Sequence, residues 1–135
     1  MTYRPENATV WIEIPVTDLD KAMEFYSATT GMALNKVTDM EPNPIAMFVN
    51  ETEGKGVAGH LYPGKPAGDG SGPTVHLATP GKLEATMDRV KEAGGTGFSP
   101  IITIPPGRFF YCQDPDGNSV SFFETDPDAT YGAAT

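Results

Sequence analysis

Two histidines and a glutamate are the residues of this chain whose types point most directly to chemistry. Glu13 lies in the apolar stretch WIEIPV, His76 in the similar stretch TVHLAT, and His60, the only other histidine, in GVAGHLY. Two imidazoles and one carboxylate form a donor set suited to Fe(II) or Zn(II). A histidine beside a carboxylate can also transfer protons. Either chemistry depends on the elements that carry these side chains.

The stretches around Glu13 and His76 show the same order of features. Residues 11–31 read as an apolar strand, a polar break and an amphipathic helix that ends at glycine, and residues 74–95 repeat this order. Short β-rich segments separated by Gly and Pro follow each helix, and the first of those after the second helix is predicted as a strand over about residues 96–104. The sequence therefore predicts an α+β fold of two βαβββ modules whose sheets form a cup.

A Gly- and Pro-rich stretch predicts the boundary between the modules. Residues 63–73, PGKPAGDGSGP, hold four glycines and three prolines, which excludes a regular element. We therefore expect a first module over residues 1–63, a linker over 64–73 and a second module with a C-terminal tail over 74–135. The segment DPDG at 114–117 predicts a turn between the last two strands.

Composition restricts the partners and the compartment. The net charge is −9 and the chain has no Lys/Arg cluster, so neither nucleic acid nor a membrane surface is an expected partner. No apolar run approaches the roughly 18–20 residues of a membrane span. Cys112 is the only cysteine and the N-terminus does not read as a secretory signal, which favours the cytoplasm.

Three segments resemble the vicinal oxygen chelate superfamily, which includes glyoxalase I, fosfomycin and bleomycin resistance proteins and extradiol dioxygenases. They are IPVTDLDKAMEFYSATTGM, GVAGHLYPG and DPDGNSVSFFE, and the resemblance covers residues 8–124. It implies paired βαβββ modules, a homodimer and, in many members, one divalent metal in the cup. The ligands in such members come from the first and last strands of each module.

The resemblance places the four ligand positions on Trp11, His60, Thr74 and Ser121. Only His60 is a good ligand, because an indole cannot bind a metal and neutral hydroxyls bind one weakly. We therefore expect the usual metal site to be absent and no cofactor to be needed. Glu124 lies three residues after Ser121, so strand alternation predicts that it points away from the cup.

Three interpretations remain open at this stage. In the first, which we favour, a metal-free cup binds a small organic molecule and is lined by Trp11, Glu13, His60, Tyr62, Thr74, His76, Ser121 and Phe123. In the second, a lyase, isomerase or dioxygenase holds one Fe, Zn, Ni or Mn ion through Glu13, His60 and His76, one pleat from the usual positions. In the third, Trp11, Tyr62 and Phe123 fill the cup of a scaffold protein that binds no ligand.

Alternation in GRFFYCQ, residues 107–113, leaves one further choice open. Phe109 and Tyr111 must point to one face of their strand, and Arg108, Phe110 and Cys112 to the other. One of these sets is expected in the core and the other in the cup.

Overall fold

The computed structural model describes residues 2–39, 43–52 and 54–125, and its elements follow the predicted order. The first module contains β1 (Ile12–Val16), α1 (Leu19–Thr30), β2 (Leu34–Val37), β3 (Ile45–Phe48) and β4 (Gly59–Pro63). The second contains β5 (Val75–Ala78), α2 (Leu83–Ala93), β6 (Ile102–Ile104), β7 (Gly107–Gln113) and β8 (Ser119–Thr125). The expected C-terminal tail, residues 126–135, lies outside the described residues.

The strands form two four-stranded sheets with the same topology. Their orders are β1-β4-β3-β2 and β5-β8-β7-β6. In each sheet the first and last strands of the module pair in parallel, and the remaining pairs are antiparallel. The predicted fold class, α+β with paired βαβββ modules, is confirmed.

One strand is much shorter than the sequence predicts. The segment 96–104 keeps only Ile102–Ile104 as a strand, together with an isolated bridge at Thr96. Gly97 adopts a left-handed conformation with φ 67°, and Pro100 has no N–H to donate. These two residues prevent a continuous ladder along the segment.

Each helix covers one face of its sheet. The Asp18 side chain caps α1 by accepting a hydrogen bond from the Lys21 N–H at 3.1 Å, and the helix ends at Gly31, with φ 75°. The helices and the sheet faces beneath them share one hydrophobic core, which includes Tyr26, Leu61, Leu83, Val90, Phe110 and Phe122. Among the described residues, no helix is long and apolar enough to cross a membrane.

Alternation along the strands leaves the other face of each sheet without a helix. Leu61 on β4 points into the core, so its neighbour His60 points to the opposite face; Phe122 and Ser121 on β8 show the same relation. We call these surfaces the first open face (Trp11, Glu13, Met47, His60 and Tyr62) and the second open face (His76, Phe109, Tyr111, Ser121 and Phe123).

A buried carboxylate joins the two modules. Asp114, in the turn between β7 and β8, accepts hydrogen bonds from the Tyr26 hydroxyl at 2.6 Å and from Asn118 Nδ2 at 2.9 Å. Asn118 Nδ2 also donates to the carbonyl oxygen of Pro15 at 2.8 Å. Because Tyr26 and Pro15 belong to the first module, this turn fixes the second module against α1 and β1.

The linker lies against the same turn. The Gly70 N–H donates to the Gly117 carbonyl at 2.7 Å. Gly117 has φ 79°, and a Cβ at this position would lie 2.3 Å from the backbone carbon of Gly68. Glycine is therefore required here both by the turn and by the approach of the linker.

The start of α2 is capped by a side chain from a distant strand. Lys82, at the N-cap position, makes no side-chain cap bond, and the Leu83 N–H instead donates to Glu124 Oε2 at 2.7 Å. Arg108 donates to the same oxygen at 2.7 Å and pairs with Glu84 at 2.9 Å. Arg108 thereby holds the pKa of Glu124 below its usual range. Glu124 lies on the helix-covered side, as alternation predicts.

We expect Tyr26→Phe to lower the free energy of unfolding by about 2 kcal/mol, because it removes a hydrogen bond to a buried carboxylate. Urea denaturation followed by circular dichroism measures this change. Tyr3→Phe is the matched control, because Tyr3 is 84% exposed. Equal stability of the two variants would contradict the role given to Asp114.

Alkaline pH provides a second control for the same variant. Burial, and then the charge of Asp114, raise the pKa of Tyr26 well above its usual range. The unfolded chain therefore releases the Tyr26 proton at a lower pH, about 10, than the folded protein does. The free energy of unfolding should fall as the pH rises above that value. Tyr26→Phe should lack this part of the fall, and parallel pH curves for the two proteins would argue against it.

Candidate functional site

On the first open face, His60 is held by contacts at both of its ring nitrogens. The indole N–H of Trp11 donates to His60 Nδ1 at 2.9 Å, and His60 Nε2 lies 3.0 Å from Glu13 Oε1. An indole nitrogen is only a donor, so Nδ1 must carry a lone pair and the proton of the neutral imidazole lies on Nε2. The contacts therefore fix the tautomer of His60 and engage both of its nitrogens.

Parallel pairing positions these side chains. The register of β1 with β4 sets Glu13 opposite His60, and the row continues to Met47 on β3. The His60 side chain is 14% exposed, whereas that of Glu13 is 61% exposed. Tyr62 follows two residues later on β4, with its ring 6.2 Å from that of His60. This face thus offers a carboxylate to solvent in front of a covered imidazole.

Aromatic rings dominate the second open face. The His76 ring lies 5.3 Å from Phe109, 5.9 Å from Tyr111 and 6.2 Å from Phe123, in each case edge to face. Phe109 and Phe123 are buried and stack on each other at 5.6 Å, whereas His76 and Tyr111 are exposed. Partial burial lowers the pKa of His76, which keeps its ring uncharged at neutral pH.

Ser121 lies between His76 and Tyr111 at the bottom of this face. The strand registers set it opposite both residues. It is fully buried, and within the described part of the chain its hydroxyl has no hydrogen-bond partner. By contrast, the Thr74 hydroxyl shares a hydrogen bond with that of Ser119 at 2.5 Å.

The residues at the family's ligand positions do not fit a metal ion in this arrangement. Trp11 occupies one position and donates to His60 at another, so the best ligand of the set is already engaged. Thr74 is bonded to Ser119, and Ser121 offers a neutral hydroxyl. None of these contacts leaves a negatively charged or free imidazole donor at the four positions.

The structure brings together only two of the three metal donors of the second interpretation, Glu13, His60 and His76. Glu13 and His60 meet, but His76 lies on the other sheet, and no hydrogen bond or ring contact links it to either of them. Over residues 2–39, 43–52 and 54–125, no group of three or more His, Cys, Asp and Glu side chains is placed to hold a metal ion.

Strand β7 resolves the choice that alternation left open. Phe109 and Tyr111 lie on the second open face, whereas Phe110 and Cys112 are in the core. Burial raises the pKa of the Cys112 thiol to about 12, so it is not a nucleophile at neutral pH. The length of the turn could have decided this from the sequence. When residues 113 and 119 pair next to the turn, Tyr111 comes opposite Ser121 and lies on the same face.

Two cavities reach the open faces without joining them. A groove of about 390 Å³ between β1, the linker and β8 takes in Glu13. A second cavity of about 590 Å³ takes in His76 and lies between β5 and the ends of β3 and β4. Neither is lined by residues of both faces.

The Trp11–His60 hydrogen bond has a direct spectroscopic test, because the chain has one tryptophan and two histidines. We expect His60→Ala to raise the exchange rate of the indole N–H with water about fivefold, as about 1 kcal/mol of hydrogen bonding is lost. Two-dimensional ¹H–¹⁵N NMR measures this rate. His76→Ala is the matched control and should leave the indole signal in place, and equal effects of both variants would contradict the bond.

Solved structures of known proteins share this fold. TnmS3, an antibiotic binding protein from a Streptomyces species, is 22% identical with a TM-score of 0.63, over 91% of this chain and 100% of that chain. A glyoxalase/bleomycin resistance protein from Albidiferax ferrireducens is 20% identical with a TM-score of 0.64, over 89% of this chain and 100% of that chain. The fosfomycin resistance protein FosX from Listeria monocytogenes, complexed with Mn(II) and sulfate, is 13% identical with a TM-score of 0.65, over 93% and 94% of the two chains.

Comparison of the sequence alone identifies the family. No curated protein matches the chain significantly. The family model that matches, over residues 9–122, is that of the Glyoxalase/Bleomycin resistance protein/Dioxygenase superfamily. Because the match spans most of the 135 residues, the chain belongs to this superfamily.

Proposed function

We propose that this protein binds a small organic molecule in the cup bounded by its open faces, without the metal site common in the superfamily. The observation that carries the proposal is the hydrogen bond from Trp11 Nε1 to His60 Nδ1 at 2.9 Å. A nitrogen lone pair that accepts this bond is not available to a metal, and the other ring nitrogen faces Glu13. The cup therefore offers polar and aromatic contacts in place of a metal.

The exposure of the aromatic residues supports binding over a scaffold role. Trp11 is 41% exposed and Tyr62 is partly exposed, so two of the three rings of the scaffold interpretation do not fill the cup, whereas Phe123 is buried. Mostly apolar linings with a few placed polar groups are typical of small-molecule sites. TnmS3, which shares this fold, is an antibiotic binding protein, and this favours a sequestering role.

We also propose that a second copy of the chain completes the cup. Within the described residues no hydrogen bond or ring contact joins the first open face to the second, so this part of one chain does not close a cup between them. A symmetric homodimer in which the first open face of each copy meets the second open face of the other would cover both faces. Sedimentation should then give twice the chain mass of 14.4 kDa, and the mass of a single chain would oppose this part of the proposal.

The alternative is a divalent-metal enzyme, a lyase, isomerase or dioxygenase, that uses Glu13, His60 and His76. The approach of Glu13 Oε1 to His60 Nε2 at 3.0 Å favours it, because two of the three donors already meet. It requires His60 to exchange its hydrogen bonds for a metal bond and His76 to come from another face. Metal analysis distinguishes this alternative from metal-free binding.

The test combines metal analysis with ligand binding on untagged protein. The protein is treated with EDTA and dialysed against Fe, Zn, Ni or Mn, and we expect less than about a tenth of an equivalent of each to remain bound, because His60 is engaged. A panel of uncharged, cationic and anionic small molecules is then screened for a rise in melting temperature. The same molecules should raise it with and without EDTA. Retention of one equivalent of metal, or no stabilising molecule in the panel, would contradict the proposal.

Trp11→His is the positive control for the metal measurement. It replaces an indole, which cannot be a ligand, with an imidazole beside His60 and Glu13, and so restores a set of two histidines and a carboxylate. We expect this variant to bind Ni or Zn at least about tenfold more tightly than the parent protein. Trp11→Phe removes the same hydrogen bond without adding a ligand, and it should show no such gain.

A further inference from the structure

The second open face is an uncharged aromatic surface above a buried hydroxyl. We propose that it binds the flat, uncharged ring system of an aromatic ligand, with His76 and Tyr111 as the contacting rings and Ser121 as the polar anchor. This inference rests on the proposed function and names the class of molecule that the cup accepts.

The strand registers place the three residues in one row. Ser121 is opposite His76 on β5 and opposite Tyr111 on β7. Phe109 and Phe123 form the next row, where they stack with 8° between their planes. The outer rings, His76 and Tyr111, meet at 66° and remain exposed. They offer exposed aromatic surface on a base of buried aromatic residues, which suits stacking.

The charge of this face selects against anionic ligands. The chain has a net charge of −9, yet none of the five residues of the second open face carries a formal charge while His76 is neutral. An anion would be repelled by the net charge of the protein, and it would lose hydration without gaining a charged partner. An uncharged ring system escapes both penalties.

The buried hydroxyl indicates that the ligand also carries a polar edge. Among the described residues, Ser121 Oγ is buried without a partner, and a hydroxyl in that state is costly. A ring nitrogen, carbonyl or hydroxyl on the ligand would supply the missing hydrogen bond. Ser121 is fully buried, so a ligand reaches its hydroxyl only by inserting between the side chains opposite it, His76 and Tyr111, and turning their rings apart.

Acridine is a suitable probe, because it is flat, carries a ring nitrogen that accepts a hydrogen bond, and is uncharged at slightly alkaline pH. Adamantanol is the comparison, since it is uncharged and compact but neither flat nor aromatic. In calorimetric titrations of the whole protein we expect acridine to bind at least about tenfold more tightly than adamantanol. Equal affinities would overturn the proposal.

Tyr111→Leu tests the stacking contact, because leucine keeps an apolar side chain but removes the ring. It should weaken acridine binding about tenfold while the affinity for adamantanol stays the same. Tyr3→Leu makes the same exchange at a side chain outside this face and should change neither affinity. An unchanged affinity of Tyr111→Leu for acridine would overturn the role of the ring.

Ser121→Ala tests whether Ser121 binds the ligand or has only a structural role, because it should stabilise the free protein but weaken ligand binding. In the free protein it removes an unpartnered buried hydroxyl, so the melting temperature should rise by about 3 °C. In the complex it removes the anchor, so acridine binding should weaken about fivefold. A rise in melting temperature with unchanged affinity would overturn the anchor.

Failure of this inference and failure of the proposed function give different results. If acridine does not bind but other molecules of the panel raise the melting temperature with and without EDTA, only the aromatic class is wrong. If no molecule of the panel binds, both proposals are wrong.

Discussion

The two modules share one hydrophobic core, and a buried carboxylate fixes their orientation within it. Asp114 accepts hydrogen bonds from the hydroxyl of Tyr26 and the side-chain amide of Asn118, and this amide also donates to the Pro15 carbonyl oxygen in β1. A carboxylate in the core must be fully hydrogen-bonded, so its donors can occupy only a few positions. The turn that carries Asp114 is thereby tied to α1 and β1, and the linker packs on its outer side. The orientation of both open faces follows from this contact.

The first open face shows how a ligand position can change its chemistry without changing the fold. At the positions where the family resemblance expects metal ligands, an indole donor now meets an imidazole acceptor. The hydrogen bond fixes the imidazole, as a metal would, but it leaves no open coordination position. The exposed carboxylate of Glu13 and the neighbouring rings then provide the polar and apolar contacts of the face.

The order of the elements could be predicted because its signals are local. Asp18 caps α1, Gly31 ends it, and the DPDG turn closes between Asp114 and Gly117 as its residue types require. The short length of β6 was not predicted in this way. Gly97 and Pro100 interrupt the hydrogen bonding between neighbouring strands, and that pairing is not a local feature of the sequence. The meeting of Trp11 with His60 depends on parallel pairing across 49 residues, and no local pattern sets that register.

The cap of α2 comes from the last strand of the sheet. The first N–H of this helix is satisfied by Glu124, 41 residues further along the chain, and not by its own N-cap residue. During synthesis, the ribosome therefore makes all of α2 before it makes the acceptor that defines where α2 begins. Until β8 has been made and has paired with β5 and β7, the first N–H of the helix lacks this acceptor, so the complete second module requires its own C-terminal strand.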